Sequence, residues 1–219
     1  MVSVKKVVMD FERALWAAVK TRLPHVEVMG CVFHWTQAVW RKVQELGLAS
    51  AYVGDKGTYS YIRRLMALPF IPHQKIPRVF QRLRVGTTTE PVKKLVEYIQ
   101  ANWVYSTTFP PENWSVYGQP VRTNNDVEGW HNALNRRASG RSEIPFNQLI
   151  ELLRMEAKLV ELQMQLVADQ KLSRIQRKKY RNHQKKIFNL WGQYSDGEKS
   201  VDQLLKAISF INGPIVRQC

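Results

Sequence analysis

The sequence predicts a mainly helical chain with a small α/β remnant near its start. Two observations predict this. Apolar residues recur at helical spacing along most of the 219 residues. Only two short stretches, residues 2–9 and 26–29, read as strands, and both are β-branched and apolar. With 44% hydrophobic residues, the chain can bury a core in one or two domains.

The charge narrows the function classes. Lys and Arg outnumber Asp and Glu by 33 to 18, a formal charge of +15. A chain this basic is suited to a polyanion, most often nucleic acid. No apolar run is long enough to span a bilayer, so no membrane partner is expected. The first residues lack the apolar core of a secretion signal. The two cysteines, Cys31 and Cys219, are too few for a disulfide scaffold and favour a reducing compartment.

The first strand ends in Asp10. A helix follows through Phe11, Leu15, Ala18, Val19 and Leu23, and Pro24 closes it. Asp10 therefore has two readings. It can cap the helix, or it can serve a ligand, because carboxylates at strand tips converge outside a sheet. A strand starting at residue 2 has nothing earlier to pair with, and two strands seldom make a stable sheet. The sequence thus reads as a sheet whose earlier strands are missing.

Gly30-Cys31-Val32-Phe33-His34-Trp35 leads into a helix through Trp35, Ala38, Val39, Val43 and Leu46, stopped by Gly47. Gln37, Arg41, Lys42 and Gln44 occupy its other face. Cys31-x-x-His34 offers only two zinc ligands, with no second pair at finger spacing, so no zinc is expected. A buried thiol beside a hydrogen-bonded imidazole is the preferred reading.

Residues 52–84 read as short basic helices broken by Pro69, Pro72 and Pro77. Thr89-Glu90-Pro91 opens a further helix through Val92, Leu95, Val96, Ile99 and Trp103. The tryptophans here are read as core, and residues 109–120 as loop. The stretch Arg122-Thr123-Asn124-Asn125-Asp126-Val127-Glu128-Gly129-Trp130-His131-Asn132 comes next. Asn125 can cap a helix there, with Glu128 at the capping-box position. Alternatively, Glu128 is a metal-binding carboxylate.

Pro145 opens a long helix in which Ile150, Leu153, Ala157, Val160, Met164 and Val167 alternate in steps of three and four. Packing into a bundle core is the favoured reading, and a homodimer seam is the alternative. Residues 171–186 then carry Lys171, Arg174, Arg177, Lys178, Lys179, Arg181, Lys185 and Lys186 without an acid. Such density suits a phosphate-tracking surface or a nuclear localisation signal. Ser200-x-x-Gln203 caps a last helix with Val201, Leu204, Leu205 and Ile208 inside.

Three motifs in this order carry a resemblance: Asp10-Phe11-Glu12 after a strand, Gly30-Cys31-Val32-Phe33-His34-Trp35-x-Gln37, and Thr123-Asn124-Asn125-x-x-Glu128. Together they resemble the Mutator-like (MULE) transposases over about residues 4 to 160. The resemblance implies a partial ribonuclease-H-like fold with a helical insertion and C-terminal helices. It divides the chain into a partial catalytic core (1–48), the insertion (49–121), a return to the catalytic fold (122–170) and a basic helical region (171–219). It implies that Asp10 and Glu128 are catalytic ligands of magnesium or manganese, matching the second aspartate and the glutamate of that family. Cys31 and His34 match its Cys-x-x-His pair. Asn124, Asn125 and His131 would lie near the site, and Arg122 would contact phosphate.

The family's first aspartate and first three strands have no counterpart here. The expectation is therefore a truncated transposase fragment, nuclear and DNA-bound, that does not cut DNA by itself. A repurposed, non-catalytic nucleic-acid-binding protein is the alternative.

Overall fold

The computed structural model describes residues 4–86, 89–138, 143–169 and 178–212, and within them all side chains except those of residues 126, 167, 168 and 178–180. The fold is mostly helical with one small parallel sheet. The chain divides into two compact units. The first joins residues 1–123 to 182–219, and the second is residues 124–181.

In the first unit, β1 (Lys6–Met9) and β2 (Glu27–Gly30) pair in parallel, with Lys6 opposite Glu27 and Met9 opposite Gly30. Between them runs α1 (Arg13–Arg22). Its cap position is Glu12, two residues beyond Asp10, so Asp10 is not the N-cap. After β2 comes α2 (Val32–Glu45), which buries Val32, Trp35, Val39 and Val43 along one stripe. Gly47 then turns the chain with φ +70°, where a side chain would be strained.

The insertion follows as α3 (Ala49–Gly54), α4 (Lys56–Met66), two 3₁₀ turns (Leu68–Phe70 and His73–Lys75), α5 (Ile76–Val85) and α6 (Glu90–Ile99). Pro77 does not break a helix. It sits in the first turn of α5, where its missing N–H costs nothing. A π-helical turn, Gln100–Val104, extends α6, and α7 (Pro111–Trp114) lies within the expected loop. Trp35, Trp103 and Trp114 are buried core residues.

The C-terminal helices complete this core. They are the later part of α10 (Lys178–Ser195) and all of α11 (Val201–Ile211). The segment 69–71 shows why they are needed. Proline and 3₁₀ geometry leave its carbonyls without helical partners, and buried carbonyls need donors. Pro69 O accepts from Val116 N at 2.7 Å, Phe70 O from Trp191 Nε1 at 2.8 Å, and Ile71 O from Ser115 Oγ at 2.8 Å. Arg63, buried in α4, donates from Nε to Ser209 O at 2.6 Å. The expected cap on α11 is present in full, with Ser200 and Gln203 bonded reciprocally.

The second unit holds α8 (Asn125–Arg137) and α9 (Phe146–Ala168). Two expectations are corrected here. The capping box does not form: the cap residue is Asn124, without a side-chain cap bond, which moves Glu128 one position past the box. Among the described residues, the heptad residues of α9 do not form a bundle core, since Ile150, Leu153, Val160 and Met164 are exposed; the side chain of Val167 lies outside the described residues. The contact with α8 uses a neighbouring face, where Trp130 Nε1 donates to Glu156 Oε2 at 2.8 Å and Arg137 pairs with the same carboxylate.

Candidate functional site

Parallel pairing sets the tips of β1 and β2 side by side. Cys31 N donates to Met9 O at 2.8 Å, which places Asp10 and Cys31 at the same end of the sheet. His34, in the first turn of α2, sets Nδ1 at 2.8 Å from Asp10 Oδ1. Trp16 Nε1 donates to Asp10 O at 2.6 Å and fixes the backbone there. His34 from α2 and Trp16 from α1 thus hold Asp10 at a strand tip, the place where α/β sheets present ligand-binding groups.

Aromatic packing supports this tip from below. The Phe11 ring meets Trp103 edge-on at 4.6 Å and Phe109 at 5.3 Å. Its edge lies where a side chain at residue 30 would be, 2.2 Å from a Cβ built on Gly30. That is the reason for glycine at the end of β2.

Above the tip opens a cleft of about 590 Å³. Its wall includes Asp10, Glu12 and His34, with Arg13 and Arg41 adding positive charge and Asn102 a neutral amide. Sequence reasoning missed part of this wall. His34, Gln37 and Arg41 are spaced three and four apart, a signal that α2 runs along the cleft from His34. The contribution of Asn102 had no such signal, because it depends on the π-helical turn. Turns of that kind gather at functional sites and have no period readable in sequence.

Cys31 is fully buried, as expected, and beside the tip rather than on the cleft wall. Cys31→Ser is expected to lower stability by about 1–3 kcal/mol through burial of a hydroxyl, without any release of zinc. Thermal melting with a zinc assay checks this, and stoichiometric zinc lost in the variant is the contrary result.

The remaining predicted residues lie elsewhere. Arg122 is in the first unit, where its carbonyl accepts from Val32 N at 3.0 Å and its guanidinium lies 5.8 Å from the centre of the Trp191 ring. Asn124, Asn125, Glu128 and His131 belong to the second unit. Asn125, Glu128 and His131 follow at three-residue steps along α8, so their side chains share one face of the helix. Arg181, Lys185 and Lys186 are exposed on α10. The side chains of Lys178 and Lys179, and all of Arg174 and Arg177, lie outside the described residues. Among the described residues, no group of three His, Cys, Asp or Glu is placed to hold a metal ion, and no helix is long and apolar enough to cross a membrane.

The chain matches no protein-family model, no curated protein and no solved structure.

Proposed function

We propose that this chain carries part of the catalytic centre of a DDE-type DNA transposase similar to the Mutator-like family, on a partial ribonuclease-H-like core. The observation that carries the reading is the Asp10–His34 pair at the tips of two parallel strands. It gives a mechanical role to the Cys-x-x-His motif that carries the resemblance. His34 orients the carboxylate, and the buried Cys31 ties the two strand tips together through its N–H to Met9 O.

The donors on the cleft suit a hard divalent cation, since Asp10 and Glu12 offer carboxylate oxygens and the thiol is buried. Asp10 would supply a carboxylate to magnesium or manganese, and Glu128 is the second carboxylate that the resemblance assigns to that role. When bound, such ions activate the attacking oxygen and stabilise the leaving oxygen of a phosphodiester. The chain's own task is to hold the two carboxylates and bind the DNA backbone, in keeping with a nuclear location. Plasmid nicking in magnesium or manganese tests the role of these two carboxylates. Cutting that disappears in both Asp10→Asn and Glu128→Gln is the expected pattern, and cutting indifferent to both would refute the reading.

A second reading, a nucleic-acid-binding protein without catalysis, is favoured by the exposed Arg181, Lys185 and Lys186 on α10. Both readings require phosphate contacts from this stretch. Replacing these three residues by Gln should make the log–log salt dependence of DNA affinity shallower, by roughly 0.9 for each phosphate that is no longer neutralised. Titration of a duplex at several salt concentrations measures the slope. An unchanged slope removes this face from the DNA-binding surface.

A further inference from the structure

Among the described residues, the heptad stripe of α9 is not covered by the fold of its own unit. Phe146, Ile150, Leu153, Val160 and Met164 are 76%, 37%, 42%, 47% and 48% exposed, with Ala157 exposed between them. The residues buried on this helix, Leu152 and Glu156, lie on the adjoining face, where Trp130 and Arg137 of α8 hold Glu156. A row of large apolar side chains in steps of four and three is the pattern of a helix that packs against another helix. Contiguous exposed apolar surface of this kind marks an interaction site.

We propose that this stripe is the seam of an antiparallel homodimer, occupied by α9 of a second copy of the chain. Charge favours a copy at this place. The chain as a whole carries +15 and repels its like. Helix α9 differs, because its exposed Glu151 and Glu161 balance Arg154 and Lys158, while Glu156 is buried and paired with Arg137. Two copies can therefore approach along α9 without the repulsion that other basic faces impose.

Charge also sets the direction. In an antiparallel register, Ala157 faces Val160 of the second copy, and Leu153 faces its Met164. Arg154 then stands beside Glu161 of the second copy, and Glu161 beside its Arg154. A two-fold axis thus makes both ion pairs at once. In a parallel register Glu161 would instead meet the position of Glu156, whose carboxylate is already buried against Trp130 and Arg137, and neither ion pair forms. The ion pairs select the register, while the buried apolar stripe supplies the affinity.

The test is sedimentation equilibrium of the full chain without DNA, so it does not depend on any catalytic role. Wild type should be dimeric. Leu153→Glu combined with Val160→Glu should raise the dimer Kd at least about tenfold. The circular dichroism spectrum should not change, because both sites are exposed in the monomer. Arg154→Glu alone and Glu161→Arg alone should each weaken the dimer, and the two together should restore it. A monomeric wild type overturns the proposal, as does a dimer indifferent to Leu153→Glu and Val160→Glu. Failure of the double charge exchange to restore a dimer weakened by each single change overturns the antiparallel register.

Discussion

In a fusion that places the first strands and first aspartate of a Mutator-like transposase ahead of this chain, Asp10→Asn or Glu128→Gln is each expected to reduce metal-dependent nicking to background. The reason is geometric. In-line displacement needs its oxygen ligands fixed around the metal ions, and on the proposed reading the loss of either carboxylate removes a ligand and a negative charge. The Asp10 variant keeps its shape, because an amide at residue 10 can still face His34, which stands 2.8 Å from the carboxylate. Both substitutions should leave DNA affinity nearly unchanged, since the proposed phosphate contacts come from Arg181, Lys185 and Lys186 on α10. The assay is nicking of supercoiled plasmid beside a binding titration. Cutting by the fusion that is indifferent to Glu128 would leave α8 without a catalytic role. Loss of binding together with cutting would mean that the variants damage the fold.

The largest expected effect on stability comes from Arg63. Its guanidinium is buried, donates to Ser209 O at 2.6 Å and lies 5.5 Å from the centre of the Tyr59 ring. Arg63→Met keeps an apolar stem but leaves a carbonyl at a buried residue without its donor. An unmet buried group costs about 1–3 kcal/mol, and removal of the charge-assisted bond and the ring interaction brings the total to about 3 kcal/mol or more. At this chain length, that corresponds to a fall of roughly 6–12 °C in Tm. Arg82→Met is the matched control. Its Nη2 donates to both carboxylate oxygens of Asp202, at 2.7 and 2.9 Å, joining α5 to α11 in a pair that is open to solvent. Exposed pairs contribute about 1 kcal/mol or less. Urea unfolding of both variants decides the matter. Equal losses would show that Arg63 does not anchor α11.

Much of this architecture was legible in the sequence, because local rules govern it. Two β-branched runs became the two strands, and the three- and four-residue spacing in α2, α6 and α11 marked their buried faces. Asp10 was legible as a candidate ligand because it follows a strand end, whereas His34 was read only as a structural partner of Cys31. The failures have physical causes. Asn124 and Asn125 are the same residue type side by side, so composition could not choose the cap between them. The stripe on α9 has the period of a packed face, and period does not say which partner covers it. The packing of α10 and α11 onto residues 63–71 joins segments more than a hundred residues apart, and no local pattern encodes such pairs.

That last feature bears on how the molecule is made. A ribosome releases the chain from its N-terminus, at about 5–20 residues per second. Phe70 is therefore synthesised 121 residues before the indole of Trp191 that meets its carbonyl, and Arg63 precedes Ser209 by 146. For roughly 6–25 s, the apolar face of the insertion has no C-terminal helices to cover it. Meanwhile the whole second unit emerges, since residues 124–181 come between the two parts of the first. The contacts of the first unit described here are thus completed only after residue 209 has emerged. Until then the nascent chain presents the kind of surface that holding chaperones bind.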